Sequence, residues 1–472
     1  MIVRQQDSKT NFFQEGFMNI LLVVLTVALI FCIAKLILKK YNTVFIFVAT
    51  GIIILTIITA IKGVSILPEA QSTGNIYLDV LEFVKKKMIS NTAGLGIVLM
   101  TVTGYAMFMS HIGASTKLAL KATKPLKKFN SPYFVLAIIF VIGCMLKLVI
   151  TSHSGLGLLM VATTFPILLN LGVSRLSAGA VMCFTGFLDW GPNDSSAIFA
   201  AKLVNMEVMD YFLQYQGKVS LIVLAVSVIF IPIYYSRLDK KMKDSGMDLD
   251  KIKEIEDPDC PGYYAILPII PLVLVAVFSF VDFIKMDVVT ANLVSFVLAF
   301  VLEVIRHKDV KKAAAGTEVI LKSMGTCFAN IVSIVIAAAI FAEAIKQIGG
   351  VTIVANFLAS LNGGLLITMF LMSLITFGAV ILLGSGNASW YAFGPLVPGI
   401  AEQMGVSALW IALPMQLATA IGRSLSPVAG VVIAVAGLAE VTVEELIKHS
   451  VIPMVVAFIV NVVASYLILS ML

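Results

Sequence analysis

Apolar runs of about 18 or more residues recur along the whole chain and are separated by short polar segments. A run of this length is typical of a helix that crosses the hydrocarbon core of a bilayer. The pattern predicts an all-α polytopic membrane protein with about twelve transmembrane helices. These spans are predicted at residues 17–38, 42–61, 94–111, 133–150, 174–190 continuing to 203, 218–235, 263–282, 288–305, 328–347, 364–383, 405–440 with an interior break, and 449–471.

Two apolar stretches, 152–172 and 384–403, contain too many polar and glycine positions for ordinary spans. Each begins with a polar motif, and each is followed about 40 residues later by a second polar break, at 191–196 and at 422–427. Irregular backbone at membrane depth is tolerated where protein or a water-filled cavity satisfies its polar groups. We therefore predict two re-entrant hairpins and two broken helices that form a substrate site between two halves of a transporter.

The two sets of breaks belong to a predicted internal repeat. Residues 112–114 resemble 348–350, and 171–174 resemble 404–407, at an offset of roughly 232–236 residues. The loop after Gly113 carries five lysines, whereas its counterpart at 350–363 carries no lysine or arginine. Lysine-rich loops favour the cytoplasm, so the two copies are expected to be inverted.

This organisation divides the chain into segments whose boundaries follow the polar breaks. The predicted segments are an N-terminal tail (1–16), N-terminal helices and a polar segment (17–92), repeat 1 (93–235, with hairpin 152–172 and broken helix 174–203), a charged linker (236–262), connecting helices with a basic loop (263–327), and repeat 2 (328–472, with hairpin 384–403 and broken helix 405–440).

Composition strengthens the membrane prediction and removes several function classes. Hydrophobic residues make up 60% of the chain and charged residues 13%, with a mean hydropathy of +1.02; no soluble domain needs so much apolar surface. The net charge of +6 lies mostly in loops, where it reports orientation and not nucleic-acid binding. Enzyme motifs such as HExxH, GxSxG and Walker A are absent, and the dispersed histidines and cysteines predict no metal site.

Arg423 is the most informative single residue because it interrupts the long apolar segment 410–436. An unpaired arginine at mid-membrane costs on the order of 3 kcal/mol by insertion scales. Its planar fork matches a carboxylate in bidentate fashion, which predicts a ligand for a substrate carboxylate. The alternative is a structural pair with Asp189, Asp194 or a helix C-terminus.

The hairpin tips supply the other candidate ligands. Glycine lets the backbone approach a ligand, and serine and asparagine donate hydrogen bonds; a plain Gly/Ser kink is the alternative. His153 is a candidate proton relay, with a structural histidine as the alternative. Asp189 and Asp194 are candidates for binding a coupling cation or for pairing with Arg423, with interfacial loop carboxylates as the alternative. Lys147, near the end of a span, is expected to snorkel to the interface. The predicted substrate ligands are Ser152, Ser154, Gly155, Asn193, Ser385, Gly386, Asn387, Arg423, Ser424 and Ser426, and the coupling candidates are His153, Asp189 and Asp194.

At these motifs the chain resembles the Dcu-C type of anaerobic C4-dicarboxylate carriers, within the larger ion-transporter superfamily. The resemblance runs from about residue 20 to the C-terminus. The chain departs from the family pattern at His153, where a small residue is expected, and at Asp189 and Asp194, where a nearly neutral run is expected. The residues that carry it are at 130–133, 154–157, 264–268, 384–388, 391–393 and 422–432.

The resemblance implies secondary transport of C4-dicarboxylates such as succinate, fumarate and malate across a bacterial inner membrane. It also implies a scaffold plus transport domain, usually in a homodimer. Exchange and symport with Na⁺ or H⁺ both remain open, and neither another cofactor nor a nucleic-acid partner is predicted. Two alternatives remain open at this point. One is a carrier of another organic anion or an amino acid on the same fold, and the other is a membrane enzyme or structural subunit.

Overall fold

The computed structural model describes residues 36, 41–240, 257–278, 286–349 and 364–471. This part of the chain is helical, and no β-strand occurs in it. Its helices are α1 (Thr43–Lys62), α2 (Leu78–His111), α3 (Ala114–Thr123), α4 (Pro132–Leu146), α5 (His153–Asn170), α6 (Arg175–Phe184), α7 (Ser195–Leu203), α8 (Val208–Asp239), α9 (Gly262–Phe278), α10 (Val288–His307), α11 (Val310–Gln347), α12 (Gly364–Leu383), α13 (Gly386–Phe393), α14 (Val397–Met404), α15 (Leu409–Arg423), α16 (Gly430–Leu438) and α17 (Val443–Ser470).

Seven of the described helices are long and apolar enough to cross a membrane, namely α1, α2, α8, α10, α11, α12 and α17. The bent helix α5 makes an eighth if it is counted as one span. This confirms the predicted all-α polytopic class. The count of about twelve stays a prediction, because the proposed first span at 17–38 lies almost entirely outside the described residues.

The second polar breaks do interrupt helices. α6 ends at Phe184 and α7 begins at Ser195, while α15 ends at Arg423 and α16 begins at Gly430. Helix starts in the two halves keep a nearly constant spacing, since α5 begins at residue 153 and α13 at 386, and α7 begins at 195 and α16 at 430. The inverted orientation of the two copies and the domain boundaries stay predictions.

Each stretch predicted as a hairpin is helical and starts directly after a polar turn, as the helix α5 in the first half and as α13 and α14 in the second. α5 bends by 43° between its parts His153–Val161 and Thr163–Asn170. Pro166 lies inside α5, and a proline removes the hydrogen bond to the carbonyl four residues earlier, which accounts for a bend at this position. In the second half, Pro395 lies in the short 3₁₀ turn that separates α13 from α14. The re-entrant depth of both segments stays a prediction.

The helices pack in two groups around these breaks. α1, α2 and α11 contact one another closely, and Phe47 stacks on Phe341 with ring centroids 5.1 Å apart. α12, α15 and α17 pack together in the second half, and α17 also packs along α8. The broken segments 185–194 and 424–429 lie inside the second group, where most of their residues are buried. This burial brings irregular backbone from both halves into one polar interior.

Candidate functional site

The first-half break carries two aspartates into the interior. Residues 185–194 are all buried, and Asp189 and Asp194 are 2% and 3% exposed. Gly191 turns the chain with a φ of +97°, and a Cβ there would lie 2.8 Å from a methyl carbon of Leu148. Only glycine adopts this conformation without strain in so close a packing. The turn therefore packs the break against the segment that follows α4.

Lys147 lies in that segment and points inward. Its side chain is 0% exposed, and its Nζ lies 3.0 Å from Asp189 Oδ1 and 2.7 Å from Asp194 Oδ2. The ammonium also donates a hydrogen bond to the carbonyl of Thr151 at 3.1 Å. The prediction that Lys147 snorkels to the interface is wrong, because α4 ends one residue earlier and two buried carboxylates attract the ammonium. The sequence did contain this signal, since two aspartates in an apolar stretch require a cation.

Arg423 is the last residue of α15 and reaches across to the first-half break. Its Nη2 lies 2.8 Å from Asp189 Oδ1 and donates to the carbonyl of Gly186 at 3.2 Å. Nε has no hydrogen-bond partner, and Nη1 lies 3.3 Å from the position that a Cβ would take at Gly386. The side chain is 12% exposed, more than those of Lys147, Asp189 and Asp194. The structural pair with Asp189 therefore exists, and the guanidinium also faces the tip of the second half.

Lys147, Arg423, Asp189 and Asp194 form one buried ionic network with two positive and two negative charges. Moving an isolated charge into a low-dielectric interior costs several kcal/mol, so buried charges persist only when they are paired and hydrogen-bonded. The balanced network meets this condition. An additional anion next to Arg423 makes the net charge of this network negative. This change in net charge is the electrostatic effect most relevant to an anionic substrate.

A neutral amide network holds the Asp189 backbone in place. Gln416 Nε2 donates to the Asp189 carbonyl at 2.6 Å and to Ser196 Oγ at 2.9 Å. Gln216 Nε2 donates to the same carbonyl at 3.1 Å and to Gln416 Oε1 at 2.9 Å. Sequence reasoning missed both glutamines, although each is a fully buried amide beside an apolar run. They connect α8 and α15 to the first-half break and fix its main chain.

His153 is buried at the start of α5. Its Nε2 lies 3.0 Å from the Cys183 carbonyl, which can only accept, so Nε2 carries the hydrogen. Its Nδ1 has no partner, and its ring fills the space next to Gly186, where a Cβ would lie 2.9 Å from ring carbons. Ser424 Oγ donates to the same Cys183 carbonyl at 3.2 Å. The structure thus brings His153 and Ser424 to one backbone acceptor.

The predicted serines at the hairpin tips cap helices. Ser152 Oγ accepts from the backbone N–H of Gly155 at 3.1 Å, and Ser385 Oγ accepts from that of Ala388 at 3.2 Å. Such a cap satisfies one of the free N–H groups at the first turn of a helix. Both serines therefore have a structural role as helix caps. The remaining N–H groups of each first turn still have no intrahelical acceptor.

The remaining candidates lie at contacts between the two halves. Asn387 Nδ2 donates to Ser195 Oγ at 3.3 Å, so the second-half tip contacts the first-half break. A Cβ at Gly430 would lie 3.2 Å from Ser154 Oγ, so the first-half tip contacts the second-half break. Asn193 Oδ1 is buried with no partner. Ser426 is buried, and its Oγ accepts from the Val428 N–H at 3.3 Å.

A cavity of about 480 Å³ opens elsewhere, between the end of α2, the end of α10 and the start of α11, and none of the candidate residues lines it. In the ionic network the side chains of Lys147, Asp189 and Asp194 are at most 4% exposed, whereas that of Arg423 is 12% exposed.

Known proteins resemble this chain over nearly its whole length. Residues 21–470 match the family described as DcuC, C4-dicarboxylate anaerobic carrier. The chain is 32% identical over 446 residues to the anaerobic C4-dicarboxylate transporter DcuC of Escherichia coli strain K12, covering 94% of this chain and 96% of that protein. It is 30% identical over 460 residues to the probable anaerobic C4-dicarboxylate transporter DcuC of Vibrio cholerae serotype O1, covering 96% and 100%.

Among solved structures, the YdaH transporter of Alcanivorax borkumensis, described as having an unusual topology, superimposes with a TM-score of 0.62. The two chains share 14% sequence identity, and the match covers 89% of this chain and 97% of the other. At this identity the likeness shows the fold alone.

Proposed function

We propose that this chain, which belongs to the DcuC family of C4-dicarboxylate anaerobic carriers, binds a C4-dicarboxylate at Arg423 and transports it by alternating access. It is a multi-pass protein of the bacterial inner membrane. The substrate class follows the family, with succinate, fumarate and malate as candidates. We propose a secondary transporter and not an enzyme.

The position of Arg423 is the observation that carries this proposal. The guanidinium ends a broken helix, lies beside the polar tip at Gly386 and is more exposed than the other charges of its network. Only Nη2 pairs with Asp189, so a substrate carboxylate that contacts the other nitrogens and replaces Asp189 at Nη2 makes a bidentate pair with the guanidinium. A bidentate arginine–carboxylate pair supplies both affinity and orientation.

The second substrate carboxylate is expected to bind at the polar residues of both tips. Ser385 and Asn387 lie on the second-half tip, and Ser152, Ser154 and Gly155 on the first-half tip. The free N–H groups of α13 and α5 favour an anion at these positions. Asn193 is a further candidate for the carboxylate through its side-chain NH₂ group, which donates, or for a coupling cation through its buried carbonyl oxygen, which only accepts and has no partner. Ser424 and Ser426 shape the turn that follows Arg423.

Charge balance favours coupling of the substrate to another ion. The network of Lys147, Arg423, Asp189 and Asp194 is neutral without substrate, so a bound dianion adds two uncompensated negative charges in a buried place. Protons or Na⁺ that bind together with the substrate offset them, and His153, Asp189 and Asp194 are the candidate sites. Exchange is the alternative, in which one dicarboxylate leaves as another enters.

The transport cycle is proposed to move the tips and broken helices against the group formed by α1, α2 and α11. Because Arg423 and Asp189 come from different halves, separation of the halves exposes the site to one side and then to the other. A homodimer fixed through its scaffold provides a stationary frame for this movement. Light scattering of the purified protein in detergent tests the dimer.

Uptake of labelled succinate into proteoliposomes tests the function. Vesicles loaded with succinate or fumarate test exchange, and empty vesicles under an imposed proton or sodium gradient test symport. Uptake in either format supports the proposal and decides between the two modes. No uptake of succinate, fumarate or malate by folded protein contradicts it, and a panel with aspartate and other organic anions then tests the alternative substrates.

A further inference from the structure

We infer that Asp189 is an internal competitor of the substrate, which pairs with both Arg423 and Lys147 in the empty site and keeps only Lys147 when a substrate carboxylate binds Arg423. The inference rests on the proposed function, because it requires that Arg423 binds the substrate. It assigns Asp189 and Lys147 roles as positioning residues that set substrate affinity, in place of a purely structural role for the pair.

Asp189 is held through only one of its two carboxylate oxygens. Its Oδ1 lies 2.8 Å from Arg423 Nη2 and 3.0 Å from Lys147 Nζ, so one oxygen is shared between two cations. Its Oδ2 is buried and has no hydrogen-bond partner. A carboxylate normally uses both oxygens in a buried ion pair. Asp189 thus binds Arg423 as a substrate carboxylate would, but with only half of its hydrogen-bonding capacity.

Only the Asp189 side chain needs to move for this exchange of partners. The two glutamines of the amide network hold its carbonyl at 2.6 and 3.1 Å, which fixes its main chain. Lys147 is anchored independently by the Thr151 carbonyl at 3.1 Å and by Asp194 at 2.7 Å. Asp194 is anchored in turn, because its Oδ1 accepts from the Ser196 N–H at 2.9 Å. The receiving ammonium is therefore already in place when Asp189 leaves Arg423.

Asp189 supplies a counter-charge to Arg423 in the empty carrier. A guanidinium that is only 12% exposed and has no anion beside it is costly. Asp189 removes that cost while the site is empty. Substrate affinity then reflects the difference between two carboxylate–arginine pairs. The substrate binds only the fraction of protein in which Asp189 does not occupy Arg423. The apparent affinity for substrate is therefore the intrinsic affinity multiplied by that fraction.

Competition predicts opposite effects for two variants, measured by isothermal titration of succinate into the purified full-length protein at one pH. In Asp189→Asn the competitor loses its charge while Lys147 keeps its pair with Asp194, so we expect succinate to bind roughly 10-fold more tightly. In the double variant Lys147→Met with Asp194→Asn, the net charge is unchanged but Asp189 has no alternative partner. We expect Asp189 to stay on Arg423 in this double variant and succinate binding to be roughly 10-fold weaker.

The two variants distinguish competition from a general electrostatic effect and from a structural or substrate-binding role for Asp189. A general electrostatic effect leaves the charge-neutral double variant unchanged, and a structural or substrate-binding role weakens binding in Asp189→Asn. Either result overturns the inference. If Asp189→Asn is not monodisperse in size-exclusion chromatography, the double variant decides alone. The exposed carboxylate Glu318 provides a matched control, because Glu318→Gln makes the same charge change far from the network and should leave the affinity unchanged.

Failure of the proposed function gives a different result. Wild-type protein that binds and transports none of succinate, fumarate and malate contradicts the function and the inference together. Wild-type protein that binds succinate, combined with unchanged or weaker binding in Asp189→Asn, contradicts competition alone and leaves the assignment of Arg423 intact.

Discussion

The two polar breaks occupy corresponding places in the order of helices but carry different chemistry. The break between α6 and α7 contributes two carboxylates, and the turn after α4 adds the ammonium of Lys147, all three of them almost fully buried. The break between α15 and α16 carries serines and follows the guanidinium of Arg423, and Pro427 and Val428 in it are exposed. The first half thus holds most of the charge, and the second half holds the charge nearest to accessible space.

This difference divides the site into contacts that stay within one half and contacts that cross between the halves. Lys147 and Asp194 have partners on several sides within their own half. Arg423 instead makes its ion pair across the two halves. A contact that spans two halves breaks when they separate, whereas contacts within one half survive. Substitutions in each half test this division, beginning with the largest expected effect.

Removing the ammonium of the first half should destabilise the protein most. Lys147→Met leaves Asp189 and Asp194 buried with only Arg423 as a cation, and breaking a buried pair in this way costs about 3–5 kcal/mol. The free energy of unfolding, from denaturant titration of the purified protein, measures the loss. Lys448→Met is the control, because its pair with Glu444 is exposed and should contribute little. Equal stability of the two variants contradicts the fixed role of Lys147.

Removing the guanidinium of the second half should affect binding more than folding. Arg423→Ala leaves Asp189 paired with Lys147 but deletes the proposed carboxylate ligand, so we expect about 100-fold weaker succinate binding, equivalent to roughly 3 kcal/mol. Titration calorimetry and proteoliposome uptake measure the loss. Lys322→Ala, which alters an exposed ion pair, should bind normally. Normal uptake by Arg423→Ala shows that the arginine only pairs with Asp189.

The backbone of the two tips should also respond differently. Gly384 has a φ of +74°, and a Cβ there would lie 2.8 Å from the Val428 carbonyl oxygen, so Gly384→Ala should cost about 2 kcal/mol of stability. Gly155 lies within the first turn of α5, and a Cβ there meets mainly the Ser152 side chain at 3.0 Å. Gly155→Ala should change stability by less than about 0.5 kcal/mol. Thermal unfolding of both variants checks the contrast, and a larger cost at Gly155 refutes it.

The cap serines should give the smallest and most similar effects. Ser152→Ala and Ser385→Ala each remove one helix-cap hydrogen bond, which costs about 1 kcal/mol. Threonine at either position keeps the cap and should restore stability. Uptake separates capping from substrate binding, because a serine that only caps a helix leaves the transport rate of folded protein unchanged. Loss of uptake with normal stability identifies the serine as a ligand.

Local pattern was sufficient to predict the class of the protein and the position of its polar interior. Whether a segment can lie in hydrocarbon or needs polar surroundings depends on the residues of that segment alone. The apolar runs of span length and the breaks near 191–196 and 422–427 could therefore be recognised without knowledge of the fold. For the same reason Arg423 was recognisable as a residue that needs an anion, because a lone arginine in an apolar run is costly wherever its partner lies.

The partners themselves were decided by the tertiary structure. Lys147 meets Asp194 across 47 residues, and Arg423 meets Asp189 across 234, distances along the chain over which helical periodicity carries no information. The inward turn of Lys147 and the amide network of Gln216 and Gln416 depend on helices packing side by side. The sequence alone determined that buried charges had to be compensated, and only the packing of the two halves decided which residues compensate them.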